Sequence, residues 1–268
     1  MTAKIQDALS RHNVKVSGNG EQAIVFAHGF GCDQSMWRFV APHFESNYRV
    51  VLFDLAGAGG ADISAYSVDK YVSLEAYAAD VVDIAKALNL KNAIFVGHSV
   101  SSMIGVLASK QAPELFDRHV LVGPSPRYIN DGSYAGGFEK EDIDDLLESL
   151  ASNYLGWSSA MAPVIMGNQD RPELGVELTN SFCQMKPEIA KNFAKVTFLS
   201  DNRNDLKNLK SKVLILQCAD DRIAPMAVGN YVHAQIPSSQ IFYMKATGHC
   251  PNLSAPQETT EAIKRFLA

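Results

Sequence analysis

The sequence predicts a single α/β domain over residues 1 to 268. It has a mostly parallel central sheet flanked by helices, and a helical segment, roughly residues 125 to 200, inserted after a central strand. Three observations predict this. Short runs that are apolar throughout recur along the chain, the pattern of strands buried on both faces. Amphipathic stripes of helical period lie between them, which implies a doubly wound sheet. From about Ser125 to Ser200 the alternation stops and helical patterns dominate.

The strand runs, in order, are Ala23 to Ala27, Val50 to Phe53, Ala93 to Val96, Val120 to Val122, Val213 to Leu216 and Ile241 to Met244. After Ser73, a candidate N-cap, apolar residues fall at Leu74, Tyr77, Ala78, Val81, Ile84, Ala85 and Leu88, the stripe of a helix with one buried face. A helical pattern also runs from Met103 to Ser109. Within the inserted segment, Ile143, Leu146, Leu147, Leu150 and Tyr154 repeat at helical spacing. Such an insertion sits above the carboxyl ends of the strands, where open α/β sheets bind ligands, and is read as a lid. The last helix opens at Ser254, with Gln257 three places on as a capping box and Pro256 in the first turn.

Composition excludes several functions. The chain is 47% apolar and 20% charged with a net charge of −5, and no run of Lys or Arg forms the basic stripe that phosphate contacts need. Nucleic acid is therefore not an expected partner. The acidic cluster Glu139, Glu141, Asp142, Asp144, Asp145 and Glu148 reads as a solvated helix face. No apolar run approaches the roughly 20 residues that span a bilayer. Lys4, Gln6, Asp7 and Arg11 break the start early, so a secretory signal is not expected and a cytoplasmic location is. Cys32, Cys183, Cys218 and Cys250 have no CxxC spacing and are expected as free thiols. Neither HExxH nor paired Cys/His spacing occurs, so no metal is expected. Gly57-Ala58-Gly59-Gly60 follows a strand as a dinucleotide loop would, but Asp62 stands where the last glycine belongs; no cofactor is expected.

The residues with chemistry lie just past strand ends. Gly97-His98-Ser99-Val100-Ser101 joins a strand to a helix, the context of a nucleophile elbow, with Ser101 in the usual place of a second glycine. Ser99 is the expected nucleophile. Ester cleavage builds charge on the carbonyl oxygen, and preset N–H groups must meet it. The backbone N–H of Val100 is one; the other is assigned to Phe30, in the loop His28-Gly29-Phe30-Gly31 after the first clear strand. His28 is read as a structural histidine that fixes this loop. Asp221 and His249 follow the last two strand runs, which gives the chain order Ser, Asp, His. His249 is the expected base. Asp221, four before Pro225, is the expected acid, and Asp220 the alternative, expected to bond backbone in its turn. The remaining histidines, and Cys32 and Cys250 near the site, are read as packing or surface residues.

At this point the sequence resembles the RsbQ-type α/β-hydrolases of bacterial energy-stress signalling, and is similar also to the plant karrikin and strigolactone receptors. The motifs are HGFGCDQSMW (28–37), FVGHSVSSMIGVLAS (95–109), VGPSPRYIND (122–131), LQCADDRIAP (216–225) and GHCPNLS (248–254). GHSVS looks like the plant receptors; CADD and GHCP look like RsbQ. The resemblance implies the α/β-hydrolase fold, a Ser99–Asp221–His249 triad, an oxyanion hole of Phe30 and Val100, and a closed apolar pocket under a four-helix lid. It implies that Trp157, Met161 and Phe198 line that pocket with Phe30. Met161 stands where the plant hormone receptors carry tyrosine, a departure from strigolactone-type chemistry.

Two functions follow from one triad, since fold does not settle function. One is an RsbQ-type signalling protein that binds and slowly hydrolyses a small hydrophobic ester or lactone and acts through a phosphatase-type regulatory protein. The other is a metabolic carboxylesterase or lactonase with no such partner. The first is preferred because the likeness spans the lid as well as the site.

Overall fold

The computed structural model describes residues 2–268, with side chains described from Asp7 onward. Lys4 and Gln6, two of the breaks in the apolar start, therefore lie outside the described side chains. In chain order the elements are α1 (Thr2–Arg11), β1 (Lys15–Ser17), β2 (Ala23–Ala27), β3 (Arg49–Leu52), α2 (Leu74–Ala87), β4 (Ala93–His98), α3 (Val100–Gln111) and β5 (Phe116–Val122). Four inserted helices follow: α4 (Lys140–Ser152), α5 (Tyr154–Met166), α6 (Pro172–Gln184) and α7 (Pro187–Phe198). The chain closes with α8 (Arg203–Leu206), β6 (Lys212–Gln217), α9 (Met226–Gln235), β7 (Ser239–Tyr243), α10 (Pro251–Ser254) and α11 (Pro256–Leu267).

The seven strands form one sheet in the order β1-β3-β2-β4-β5-β6-β7, parallel except for β1 against β3. Every predicted strand run forms, within two or three residues at its ends except β5, which starts four earlier. The sequence reading missed β1: all three of its residues are exposed, so it carries no apolar signal. β2 and β4 are buried along their whole length because helices cover both faces. Alternate side chains then feed two cores. Val25, Val51, Phe95, Leu121 and Ile215 pack with α2 and α3, while Ile24, Phe26, Val96, Val120 and Leu216 pack with Ala262 and Ile263 of α11.

One local expectation fails. Ser254 does not cap the last helix: it ends α10, Ala255 takes the N-cap position, and Gln257 bonds Glu261 instead. The intervening turn Pro251–Ser254 moves the helix start on by one residue and leaves the Ser254 hydroxyl buried without a partner. Ser73 is the N-cap of α2, but its side chain makes no capping bond. The acidic cluster is on α4, exposed, and begins with a capping box between Glu139 and Asp142. The first residues of the expected insertion, up to Glu139, are not helical; they form a loop closed by bridges between Ile129 and Phe138 and between Asp131 and Tyr134. Among the described residues, no helix is long and apolar enough to cross a membrane.

Candidate active site

The carboxyl ends of β2, β4, β5, β6 and β7 share one rim, and the loops beyond them carry the polar residues that the sequence singles out. β4 runs into α3 through Ser99 alone. That residue has φ 55° and ψ −125°, a conformation that costs an L-residue energy and persists only when its surroundings fix it. The fixing groups are visible. The Ser99 N–H donates to the Val122 carbonyl of β5 at 2.8 Å. A Cβ on Gly97 would lie 2.5 Å from the Ser101 carbonyl oxygen, so strand and helix pass too closely for any side chain there. Ser101, fully buried, donates its hydroxyl to the His28 carbonyl. This ties the elbow to the loop after β2, a bond that glycine at the same position could not make.

His249 lies in the loop after β7 and Asp221 in the loop after β6. The Ser99 hydroxyl is 2.7 Å from His249 Nε2, and His249 Nδ1 is 2.7 Å from Asp221 Oδ2. The other carboxylate oxygen, Oδ1, accepts the N–H groups of Ile223 and Ala224 at 2.8 and 2.9 Å, which holds the carboxylate plane. With Oδ2 aimed at Nδ1, the imidazole carries its proton on Nδ1 and offers Nε2 as acceptor to the serine. All three side chains are buried. Asp220 is exposed, and it is its backbone carbonyl that serves the turn, accepting the Gly248 N–H at 2.7 Å.

Two glycines make room for the histidine and its loop. Gly123, at φ 57° just after β5, leaves room for the ring: a Cβ there would be 3.1 Å from His249 Cε1 and 3.4 Å from Asp221 Oδ2. Gly248, at φ 77°, lies against the inserted helices, where a Cβ would be 1.9 Å from the Met166 carbonyl oxygen. Beside it the His249 N–H donates to the Ile165 carbonyl at 2.9 Å, and Asn168 Nδ2 donates to the Thr247 carbonyl at 3.0 Å. The end of α5 thus clamps the histidine loop.

The Gly29–Phe30 backbone runs beside Ser99, since a Cβ on Gly29 would be 3.3 Å from Ser99 Cβ. Val100 opens α3, so its N–H has no carbonyl one turn back to meet. His28 accepts the Leu55 N–H on Nε2 at 3.0 Å and donates from Nδ1 to the Gly29 carbonyl at 2.9 Å. Both ring nitrogens are used, and burial pulls its pKa below the usual value, so it is a neutral clasp for the loop. His98 donates from Nε2 to the His249 carbonyl at 2.8 Å; burial first, and His249 second, pull it down to about 3. Cys32 and Cys250 face the same cavity, but burial pushes both thiols far above their ordinary range, which removes the thiolate a cysteine nucleophile needs.

Above Ser99 is a small apolar cavity, with free space of about 30 Å³, lined by Phe30, Tyr128, Trp157, Phe182, Phe198 and Ile223, among others. Phe30 is its hub. Its ring lies 6.2 Å from Trp157, 5.8 Å from Phe182 and 6.2 Å from Phe198. Phe30, Trp157 and Phe198 thus line the cavity as the resemblance implies, whereas Met161 does not. The resemblance placed it in the pocket with Trp157, four residues away on the same stripe of α5. The buried centre of that stripe runs instead through Trp157, Ser158, Ala162, Ile165 and Met166, and Met161 falls on its half-buried margin.

Several lining residues escaped the sequence reading. Tyr128 sits within a motif already singled out, but nothing in its spacing reveals that it is almost wholly buried with its hydroxyl interacting with Ser99. Thr197 and Phe182 come from the inserted helices, where a buried residue and a cavity-lining one look alike in sequence. Gly123 had a readable signal, a glycine directly after a buried strand run, but no partner in the sequence pointed to it.

The chain is similar to several known proteins. A profile described as the alpha/beta hydrolase family matches residues 24–262. The chain is 40% identical to the karrikin insensitive 2 receptor CA of Petunia hybrida over 257 residues, 96% of this chain and 95% of that one. It is 37% identical to the strigolactone esterase D14 of Arabidopsis thaliana, covering 97% of each chain. Among solved structures, a hydrolase from Oleispira antarctica superposes with a TM-score of 0.95 at 40% identity, covering 98% of this chain and 97% of that one.

Proposed function

The chain belongs to the alpha/beta hydrolase family, and from that premise we propose that it is a serine esterase for a small hydrophobic ester or lactone. The observation that carries the proposal is the unbroken run of 2.7 Å contacts from Ser99 to His249 to Asp221 at the base of an apolar cavity. Ser99 Oγ attacks the scissile carbonyl while its proton passes to His249 Nε2. Asp221 keeps the Nδ1 proton in place and stabilises the imidazolium that forms. The backbone N–H groups of Phe30 and Val100 receive the negative oxygen of the tetrahedral intermediate. His249 then returns the proton to the departing alkoxide, leaving an acyl group on Ser99. Water, deprotonated by the same imidazole, releases the acid and restores the serine.

Trp157, Phe182 and Phe198, with Phe30, select for an apolar ligand of small size. The free space as it stands admits no ester, so the ligand enters as side chains of the inserted helices move apart, and those helices act as a lid. Hydrogen bonds between the end of α5 and the His249 loop tie the lid to the triad, which supports a turnover limited by lid motion rather than by chemistry. Relatives named as receptors and as esterases support a further reading, in which ligand binding or cleavage serves as a signal; that a cytoplasmic regulatory protein of phosphatase type reads it rests on the RsbQ resemblance alone. A metabolic esterase without a partner is the alternative.

Mass spectrometry of protein treated with a serine-directed phosphonate tests the chemistry. The expected result is one adduct, on Ser99, blocked by hydrophobic lactones that bind the cavity. No adduct at Ser99, with the protein folded, overturns the proposal.

A further inference from the structure

One wall of the cavity is not apolar. Thr197, on the lid helix α7, is 1% exposed and faces the cavity, and its Oγ1 has no hydrogen-bond partner. Ser254 and Thr260 also carry buried, unpaired hydroxyls on helices, but neither lines the cavity. Helical hydroxyls commonly bond the carbonyl four residues back, and neighbouring lid helices do so: Ser158 Oγ to the Tyr154 carbonyl at 2.8 Å, Thr179 Oγ1 to the Gly175 carbonyl at 2.9 Å. Thr197 takes no such bond to Phe193. A buried hydroxyl left unpaired opposes folding, and valine, its near-isostere, would fill the same space among Phe30, Trp157 and Phe198 without that cost. The hydroxyl is therefore placed where a ligand can use it.

We propose that Thr197 is a specificity residue that donates a hydrogen bond to a second oxygen of the substrate. The substrate class is then narrower than a hydrophobic ester: it is a small ester or lactone that carries an ether or carbonyl oxygen apart from the scissile group. The cleaved carbonyl sits at Ser99 on the sheet rim, and the second oxygen reaches the lid. A ligand lacking that oxygen leaves the hydroxyl unpaired, and a site built to bond a polar group discriminates against such analogues. The inference rests on Ser99 being the nucleophile.

The test uses p-nitrophenyl pentanoate beside two oxygen-bearing esters of the same chain length, the 3-methoxypropanoate and the 4-oxopentanoate. For each, kcat/KM is divided by the pentanoate value, in wild type, Thr197→Val and Thr197→Ser. Comparing each ratio between the proteins cancels the intrinsic reactivity of the esters. At least one ratio should fall in Thr197→Val by between about threefold and tenfold, the worth of one neutral hydrogen bond, and be retained in Thr197→Ser. Ratios equal within twofold in all three proteins would overturn the inference, leaving Thr197 to bond a trapped water. A wild type inert to all three esters and unlabelled by phosphonate would instead overturn the hydrolase reading itself, and this inference with it.

Discussion

Replacing Gly123 with alanine should weaken the enzyme twice, by amounts that the geometry sets separately. The backbone there has φ 57°, so a Cβ brings the left-handed penalty, about 1–2 kcal/mol of stability. That Cβ would also stand 3.1 Å from His249 Cε1 and 3.3 Å from Nδ1, closer than ordinary contact, so the ring must retreat by a few tenths of an ångström. Both of its 2.7 Å bonds then lengthen. A misplacement of about 1 Å costs on the order of 100-fold in rate, so this smaller one should cost about tenfold. Urea unfolding measures the first effect. Steady-state hydrolysis of p-nitrophenyl acetate measures the second, with the loss expected in kcat and little change in KM, because the ring acts in the transition state. A folded variant whose kcat stays within twofold of wild type would refute the reasoning that Gly123 forms the wall behind the imidazole.

Removing the Ser101 hydroxyl with Ser101→Ala takes a donor from the buried His28 carbonyl, and should lower stability by about 1–3 kcal/mol in urea titration; an unmoved midpoint would contradict a structural role for that serine. Stability should also fall with acid. Burial pulls His98 down to about 3 and His119 down to about 4, from an ordinary 6.5, so below pH 6.5 the unfolded chain binds protons that the native one refuses. The contribution is whole above about pH 6.5 and is lost as pH falls toward 3 to 4. His119, fully buried and bonded to Ser211 and Ser109, isolates the effect. In His119→Gln the slope of midpoint against pH over that window should be shallower than in wild type; an identical slope would argue against it.

How much the sequence disclosed follows from which signals are local. Strands such as Ala23–Ala27 and Ala93–His98 are buried on both faces and announce themselves as unbroken apolar runs. Ser99, Asp221 and His249 each follow such a run, so their arrival on one rim was legible once the sheet was inferred to be parallel. β1 was not, because an exposed edge strand of three residues has neither a run nor an alternation. The last helix was misplaced by one residue because the pattern Ser254 to Gln257 fits a capping box, while the preceding turn Pro251–Ser254 claims the serine. Met161 was carried over from the resemblance alone, and a matching position on α5 does not ensure that its side chain reaches the cavity. Gly123, Tyr128 and Thr197 matter through neighbours distant in the chain, and no short-range pattern encodes such contacts.

The most direct measurement compares the initial rate of Ser99 phosphonylation in wild type, Asp221→Asn and Asp220→Asn. An asparagine at 221 turns a donor toward Nδ1 and favours the tautomer that cannot accept the serine proton, so its rate should fall by as much as about 10⁴-fold. Asp220→Asn should match wild type, since that side chain points to solvent. Equal rates in wild type and Asp221→Asn, or a collapse only in Asp220→Asn, would contradict the account.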